Sequence, residues 1–323
     1  MKSVNTVCGP LETGKLGVTL MHEHILASTA GIPQFYPELL SPDFKERIIK
    51  GLTVAKQGGI NTIVDTATAD LGRDIKILAE MSQRSGVNII SCTGWNVDMP
   101  RFIGSFDADR FAQIFTREIQ VGIEGTNIKA GLLKSAADFE GVTPIIATLL
   151  RGVARAHLKT GVPIMLHSYS PGQVGRQQIP ILREEGVDLR MVKVDHCLDT
   201  TDIEYLIWIL EQGCYLGLDR LPGIYLSPSV GVSPRNRIKT IKSLIDAGYS
   251  KRLLLSHDAI LVSTFFDTIS QEDKDKIASD NPYGLLYIHK VVMPELCQSG
   301  ISEEILKSLL IDNPRRFFEG NSD

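Results

Sequence analysis

Cysteine is scarce in this sequence, and no short spacing pairs the cysteines that are present. They stand at positions 8, 92, 197, 214 and 297, with no Cys-x-x-Cys motif among them. An odd number of widely spaced cysteines in a chain of 323 residues is not the pattern of a small secreted disulfide scaffold. We therefore expect reduced and mostly buried thiols.

Long apolar runs and blocks of like charge are also missing. No run of about 18 apolar residues occurs, so we expect no membrane span. The N-terminus has no basic segment followed by an apolar stretch, which makes the cytoplasm the expected location. The net charge of −4 is not clustered in blocks, so neither nucleic acid nor an anionic membrane is an expected partner. The expected partner is a small-molecule substrate.

The sequence does contain a regular alternation of short apolar runs and amphipathic segments. The runs are rich in Val, Ile and Leu without polar alternation, which is typical of parallel strands buried on both faces. Helix-start signals occur at residues 41–43, 143–144, 200–202 and 233–234, and a last pair of helices is expected at about 283–298 and 302–310. The eight predicted strands are 16–20, 62–65, 88–93, 128–133, 162–167, 191–196, 215–219 and 253–258.

Strands and helices that alternate in this way leave two parallel arrangements, a closed barrel or an open doubly wound sheet. An open dinucleotide-binding sheet usually has a glycine-rich turn after its first strand, whereas His22-Glu23-His24 follows it here. Eight units favour closure, and no Pro-, Gly- or Ser-rich linker divides the chain. We therefore predict a single α/β domain over residues 1–323, folded as a (β/α)8 TIM barrel.

Histidines are concentrated at the ends of the predicted strands, where the active site of such a barrel lies. Of the seven histidines in the chain, only His157 and His289 fall inside predicted helices. Histidines scattered through a core or over a surface would not be sorted in this way. Five of the seven stand at strand ends: His22, His24, His167, His196 and His257.

His22 and His24 are two residues apart, so in a strand both imidazoles point to one face. Alone, the pair could be two polar residues that cap a strand. With His167, His196 and Asp258 at the same mouth, a metal site is the better interpretation. Imidazole nitrogen and carboxylate oxygen suit Zn²⁺, and they also accept Co²⁺, Mn²⁺ or Fe²⁺.

Lys134 follows the apolar run 128–133 and would direct its ammonium toward the same mouth. A cation beside metal ions is unfavourable, so it must leave, pair with a carboxylate or lose its charge. A neutral amine can take up CO₂ to form a carbamate, a negative ligand with two oxygens. The alternatives, a lysine that extends to the rim or pairs with Asp258, stay open from chemistry alone.

Three further residues at the mouth, Asp258, Asp199 and Arg220, could take part in the chemistry. Asp258 could ligate a metal and accept a proton from a metal-activated water, with Asp199 as the next proton acceptor. Asp199 could instead be the N-cap of the helix that starts near residue 200. Arg220 could bind an oxyanion or carboxylate of the substrate, or pair with Asp219. Trp95, after the third strand, could form a pocket wall or cover the core.

These residues together resemble the phosphotriesterase family of the amidohydrolase superfamily. The resemblance extends over nearly the whole chain, and the ordered set is far more specific than any one part. The matching segments are GVTLMHEH (17–24), AGLLK (130–134), VPIMLH (162–167), VDH (194–196), GLDR (217–220), LSHD (255–258) and NPRRF (313–317).

The resemblance implies a centre of two divalent metal ions, most simply Zn²⁺. His22, His24 and Asp258 would hold the more buried ion, and His167 and His196 the more exposed one. Lys134 stands where the family carries a bridging lysine carboxylated by CO₂. A bridging hydroxide would attack the substrate, and the family often forms homodimers.

The expected activity is hydrolysis of a lactone or another carboxylic ester, with phosphotriesters as possible side substrates. The alternatives are a phosphotriesterase or amide hydrolase proper, or a non-catalytic binding protein on the same fold. Trp95 and Arg220 are the expected pocket residues, and a loop at residues 260–282, after the last strand, is expected to help set specificity. The region of Trp95 lacks the tyrosine of acyl-homoserine lactonases, which argues against acyl-homoserine lactones as the principal substrate. Ala259 stands where some phosphotriesterases have a bulky aromatic residue, which argues against organophosphates.

Overall fold

A computed structural model describes residues 2–97, 99–223, 231–264 and 270–320. A short antiparallel hairpin begins the chain, formed by β1 (Ser3–Thr6) and β2 (Gly9–Glu12). The sequence did not predict this hairpin. Nine parallel strands of the described residues follow in one sheet: β3 (Thr19–Ala27), β4 (Thr62–Asp65), β5 (Asn88–Trp95), β6 (Leu132–Ala137), β7 (Ile164–Ser168), β8 (Val192–Val194), β9 (Tyr215–Leu218), β10 (Leu253–Leu255) and β11 (Ile260–Ser263).

The last two strands act together as the eighth strand of a barrel. β10 pairs with β9, and β11 pairs with β3 at the other end of the sheet. Between them, the amide of Asp258 donates to the carbonyl of His22 at 3.0 Å, and the amide of His24 donates to the carbonyl of Ala259 at 2.8 Å. The sheet therefore curls until its two ends meet, and the predicted (β/α)8 barrel is confirmed.

Helices connect the strands, and several begin at the predicted signals. Pro144 is the first residue of one of them, and the Thr143 hydroxyl accepts from the amide of Ile146. No helix of the described residues is both long and apolar enough to cross a membrane. The helices are α1 (Ile32–Phe35), α2 (Phe44–Gln57), α3 (Ile75–Ser85), α4 (Ala108–Gln120), α5 (Pro144–Thr160), α6 (Gly175–Glu184), α7 (Ile203–Glu211), α8 (Pro234–Asp246), α9 (Gln271–Asp280), α10 (Met293–Gln298), α11 (Glu303–Leu310) and α12 (Asp312–Glu319).

Three parts of the sequence prediction were wrong. The fourth predicted strand, 128–133, is β6 at residues 132–137, so Lys134 lies inside the strand and not beyond its end. The first strand is β3, at residues 19–27 instead of 16–20, so His22 and His24 lie inside a strand and not beyond its end. Residues 260–282, expected as a loop, contain both β11 and α9. α9 begins after Ser270, whose hydroxyl accepts from the amide of Asp273, and its charged residues concealed the helix because they form no apolar stripe.

The apolar core has an outer and an inner part. The outer part lies between the strands and the helices and takes residues such as Leu20, Leu133 and Val194. The inner part fills the barrel, and at the N-terminal ends of the strands it includes side chains of the hairpin and of α12. Its buried members are Val4, Leu16, Met21, Val64, Ile90, Cys92, Leu132, Met165, Tyr215, Leu254, Phe317 and Phe318.

Alternation along the strands carries this inner face on to polar residues. Leu132 and Lys134 share the inner face of β6, and Met165 and His167 share that of β7. The first strand departs from simple alternation. Leu20 points outward, so alternation alone would also turn His22 outward, away from the cavity. The register of β3 against β4 shifts between Leu20 and Glu23. Alternation from Leu20 turns Met21 inward, and this irregularity lets the next residue, His22, line the cavity above it as well.

Phe317 tests the base of the barrel, because its ring is fully buried against Tyr215 at a centroid distance of 5.4 Å. Phe317→Ala should lower the free energy of unfolding by about 3–5 kcal/mol, since it removes a buried ring and leaves a cavity. Urea denaturation measures the change. Leu158→Ala, at a side chain that is 54% exposed, is the control and should unfold near the wild-type midpoint. Equal midpoints for both variants would contradict this account of the base.

Candidate metal centre

All six predicted metal ligands line one cavity at the C-terminal ends of the strands. The cavity has a volume of about 400 Å³, and its polar floor is covered by largely apolar walls. Strands β3, β6 and β7 and the segments after β8 and β10 each contribute to that floor. The six residues are His22, His24, Lys134, His167, His196 and Asp258.

The Asp258 carboxylate lies between the two histidines of β3. Its Oδ1 is 3.3 Å from Nε2 of His22 and 3.3 Å from Nε2 of His24. Its Oδ2 is 3.8 Å from Nδ1 of His196, which reaches in from the segment after β8. Potential ligand atoms of His22, His196 and Asp258 all lie within 4.8 Å of one another, close enough to hold one ion.

His167 and His196 form a second pair on the other side of the floor. Nδ1 of His167 is 2.8 Å from Nε2 of His196, and the two rings meet edge to face. His196 has a left-handed backbone conformation with φ 63°, which directs its ring back over the barrel. Two imidazole nitrogens that face each other this closely offer a second set of nitrogen ligands beside the first.

Lys134 is a buried part of the same floor and does not extend to the rim. Its side chain is 1% exposed, and Nζ donates to the carbonyl of Thr66 at 2.9 Å. The Thr66 hydroxyl is in turn 3.2 Å from Nε2 of His24. The rim alternative is therefore wrong, and the lysine amine lies among the candidate ligands. Whether it carries CO₂ remains a prediction.

Two carboxylates for which the sequence predicted no such role contact the second ring nitrogen of His22 and of His196. Oδ2 of Asp195 is 2.7 Å from Nδ1 of His22. Asp219 accepts from the amide of His196 at 3.0 Å and is 2.8 Å from its Nδ1. A carboxylate on the second ring nitrogen is the usual support for a metal-binding histidine. The signal available in the sequence was an acidic residue at the end of an otherwise apolar strand.

Glu23 binds the segment that carries Asp258. Its Oε1 accepts from the Ser256 hydroxyl at 2.8 Å and from the amide of His257 at 2.9 Å, and its Oε2 accepts from the amide of Ala259 at 2.7 Å. The His257 ring is also bound, with Nδ1 at 2.8 Å from Oε1 of Glu23. Glu23 therefore holds the two ends of the closed sheet together beside the candidate ligands.

The electrostatic environment keeps most of the candidate ligands in metal-binding form. Burial lowers the pKa of His24 to about 4, and it also lowers the pKa values of His167 and His196, so these rings are neutral. Burial opposes the charge of Asp258, but His22 and His24 hold its pKa well below the ordinary value. His22 differs, because Asp258 and Asp195 outweigh burial and raise its pKa to about 9.

Arg220 connects two carboxylates at the edge of the cavity. Its Nε donates to Oδ2 of Asp258 at 3.0 Å, and its Nη1 donates to Oδ2 of Asp199. Oδ1 of Asp199 accepts from Nη1 of the fully buried Arg237 at 3.0 Å. The alternative pairing of Arg220 with Asp219 is wrong, because the Asp219 oxygens face His196.

Two other expectations for this region also need correction. Asp199 is not a helix N-cap, since α7 begins after Asp202, whose carboxylate accepts from the amide of Tyr205. Trp95 ends β5 and packs against the outer apolar core, whereas the next residue, Asn96, lines the cavity. Alternation along the strand explains the difference, because neighbouring residues point to opposite faces.

This donor set fits divalent metal ions. Four imidazoles and a carboxylate surround one small volume, and neutral imidazole with carboxylate suits Zn²⁺ and its neighbours. Nδ1 of His24 is buried without a hydrogen-bond partner among the described residues, so one nitrogen of this ring is unengaged while Nε2 faces Asp258.

Comparison with known proteins gives the family of this chain. A model of the phosphotriesterase family matches residues 2–318. The phosphotriesterase homology protein of Mycobacterium tuberculosis is 38% identical, with 99% of this chain and 98% of that protein covered. The aryldialkylphosphatase of Saccharolobus solfataricus is 33% identical (95% and 96% covered), and the N-acetyltaurine hydrolase of Xenopus tropicalis is 28% identical (97% of each).

The chain therefore belongs to the phosphotriesterase family. Enzymes of this family are hydrolases that depend on two metal ions, and the candidate ligand groups of this chain agree with that chemistry. The family resemblance drawn from the sequence is confirmed.

Lys134 provides the first test of the centre. The wild-type chain, loaded with Zn²⁺, should retain about two ions, and Lys134→Ala should lose most of them, because the variant could not form the predicted bridging carbamate. Metal analysis after gel filtration measures the content. Lys45→Ala, which removes an exposed lysine paired with Glu80, should keep the wild-type content. Full metal content in Lys134→Ala would contradict a bridging role.

Proposed function

We propose that this chain hydrolyses neutral lactones or related carboxylic esters with the help of two divalent ions, most simply Zn²⁺. His22, His24 and Asp258 would hold one ion, and His167 and His196 the other, with carboxylated Lys134 between them. When bound, the ions supply Lewis acidity, which polarises the scissile bond and makes water acidic enough to react at neutral pH. The observation that carries the proposal is the convergence of all six side chains on one cavity floor.

Asp258 is the proposed proton acceptor. Its carboxylate faces the cavity floor, and His22 and His24 keep it ionised despite burial. Arg220 holds its Oδ2, which leaves Oδ1 toward the histidines. A guanidinium does not give up its proton, so the chain from Asp258 through Arg220 to Asp199 is poorly suited to relay one. We therefore assign Asp199 as a positioning residue for Arg220 and no longer as the next acceptor.

The charge of the cavity favours a neutral substrate. Among the described lining residues, Lys134 and Arg220 carry the basic side chains other than histidine. Arg220 is engaged by two carboxylates, and carboxylation would make Lys134 negative. Residues 224–230 and 265–269, outside the described residues, contain no lysine or arginine. A carboxylate or sulfonate on the substrate would therefore meet no unpaired cation among the described lining residues, which argues against the expectation that Arg220 binds such a group.

The walls of the cavity suit an apolar group beside the scissile bond. Leu71, Leu261 and Leu285 line it from three different elements, and Ile277 and Ala278 add the side of α9. A pocket of this size with an apolar wall and a polar floor is the usual form of a small-molecule site. An alkyl lactone would place its carbonyl at the floor and its chain against these walls.

Amide or phosphotriester hydrolysis is the second candidate. Relatives of similar length are named N-acetyltaurine hydrolase and aryldialkylphosphatase, and the same floor could serve either bond. The presence of all six candidate ligands argues against a binding protein without chemistry.

Substrate preference separates these functions. The zinc- or manganese-loaded chain should turn over neutral alkyl lactones and aryl esters with kcat/KM about tenfold or more above that for an N-acylated amino sulfonate, because one desolvated unpaired charge costs more than 1.4 kcal/mol. A dialkyl aryl phosphate completes the panel. Preference for the anionic amide would contradict the neutral-substrate proposal, and preference for the phosphate would favour a phosphotriesterase proper.

Asp258→Asn should lower kcat by more than about 10²-fold, because an amide cannot accept the proton. Steady-state kinetics on the best lactone measure the effect, together with metal analysis, since Asp258 is also a proposed ligand. Asp246→Asn removes an exposed carboxylate that pairs with Lys242 on α8 and should leave kcat unchanged. A near-normal kcat for Asp258→Asn with both ions bound would rule out its proton-accepting role.

A further inference from the structure

Lys193 is a fully buried cation inside the barrel, below the candidate metal centre. Its neighbours Val192 and Val194 belong to the outer core, so alternation along β8 points Lys193 inward. Nζ donates to the carbonyl of Met21 at 2.8 Å and to Oδ1 and Oδ2 of Asp195 at 2.9 and 2.7 Å. A buried lysine is costly unless it is paired, and here three acceptors surround its three hydrogens.

Asp195 carries this contact on to a candidate ligand. Its Oδ2 is 2.7 Å from Nδ1 of His22, whose Nε2 faces Asp258 and the cavity. The space for the carboxylate exists because residue 217 of the neighbouring strand is glycine. A Cβ at Gly217 would lie 1.9 Å from Oδ1 of Asp195.

The two contacts of Lys193 meet at the same place in the chain. Met21, whose carbonyl it holds, directly precedes His22 and lies where the register of β3 shifts. Lys193 therefore restrains both the backbone that turns His22 inward and the carboxylate behind its ring. The other supported ring, His196, has Asp219 behind it.

We propose that Lys193 and Asp195 are a positioning pair that orients the His22 ring, keeps the proton on Nδ1 and presents Nε2 to the metal ion. The inference rests on the proposed metal-dependent function. Lys193 would not touch the substrate or the ion. Its part is to keep the Asp195 carboxylate in place against Nδ1, because a carboxylate partner fixes the tautomer and orientation of a ligand histidine.

The contacts of this pair predict that replacing Asp195 alone harms metal binding more than replacing Asp195 and Lys193 together. Both Asp195 oxygens lie within 2.9 Å of Nζ, so an asparagine would place its amide hydrogens against the ammonium whichever way it turned. That conflict should move the side chain away from His22. In the double variant Lys193→Met/Asp195→Asn the ammonium is gone, and the amide oxygen can accept from Nδ1 without opposition.

Zinc dissociation constants, measured by competition with a chelator, test this. Asp195→Asn should weaken the tightest site by about 10–100-fold, the usual effect of losing such a partner. The double variant should return to within about tenfold of the wild type. Asp188→Asn removes the half-exposed carboxylate that pairs with Arg190 before β8 and should not change the constant.

The outcomes separate this inference from the proposed function. If the wild-type chain binds no metal, both fail. If it binds two ions and Asp195→Asn binds them equally well, or the double variant binds more weakly than Asp195→Asn, the positioning role alone is overturned. A purely structural ion pair could also recover stability when its second member is removed, so the supporting result is the recovered zinc constant together with the His22 tautomer.

If the variants do not fold, a measurement on the wild-type chain still tests the proposal. In the zinc-loaded protein, ¹⁵N NMR of the histidine rings should show His22 with a protonated Nδ1 and an unprotonated Nε2. The reverse tautomer would overturn the proposal without any substitution.

Discussion

The closure of the sheet between its first and last strands is the contact on which the site depends. Asp258 is far from His22 in the chain, and it reaches that ring only because residues 256–259 bond to β3. Glu23, between the two histidines of β3, accepts hydrogen bonds from this segment through both carboxylate oxygens. A carboxylate outside the proposed ligand set thus sets the distance between ligands from opposite ends of the chain.

The barrel interior is arranged in an apolar layer below and a charged layer above. Met21, Leu132 and Met165 fill the lower layer, and the next inward positions on the same strands are polar. The apolar layer excludes water from beneath the centre, so charges there must be paired within the protein. The contacts of Lys193 with Asp195 and of Asp219 with His196 are the result.

Much of the fold and of the candidate site could be predicted from the sequence. Apolar runs followed by histidine or aspartate indicated both the strands and the residues that meet at their ends, because all parallel strands of a barrel end at one mouth. Strand boundaries were less certain, as β3 shows, since an apolar run does not reveal where pairing stops. The helix α9 was missed because charged surface helices carry little periodic signal.

The sequence by itself determined which side chains the strands bring to the mouth, since the side-chain period of a strand is local and the ligand types can be read directly. Only the tertiary structure decided which residues of a strand face the barrel interior and which side chains pair with each other. A register shift against β4 turns His22 inward, Arg220 binds Asp199 and Asp258 instead of Asp219, and Asn96 replaces Trp95 at the wall. Each of these depends on contacts with other parts of the chain, and the spacing of neighbouring residues carries no information about them.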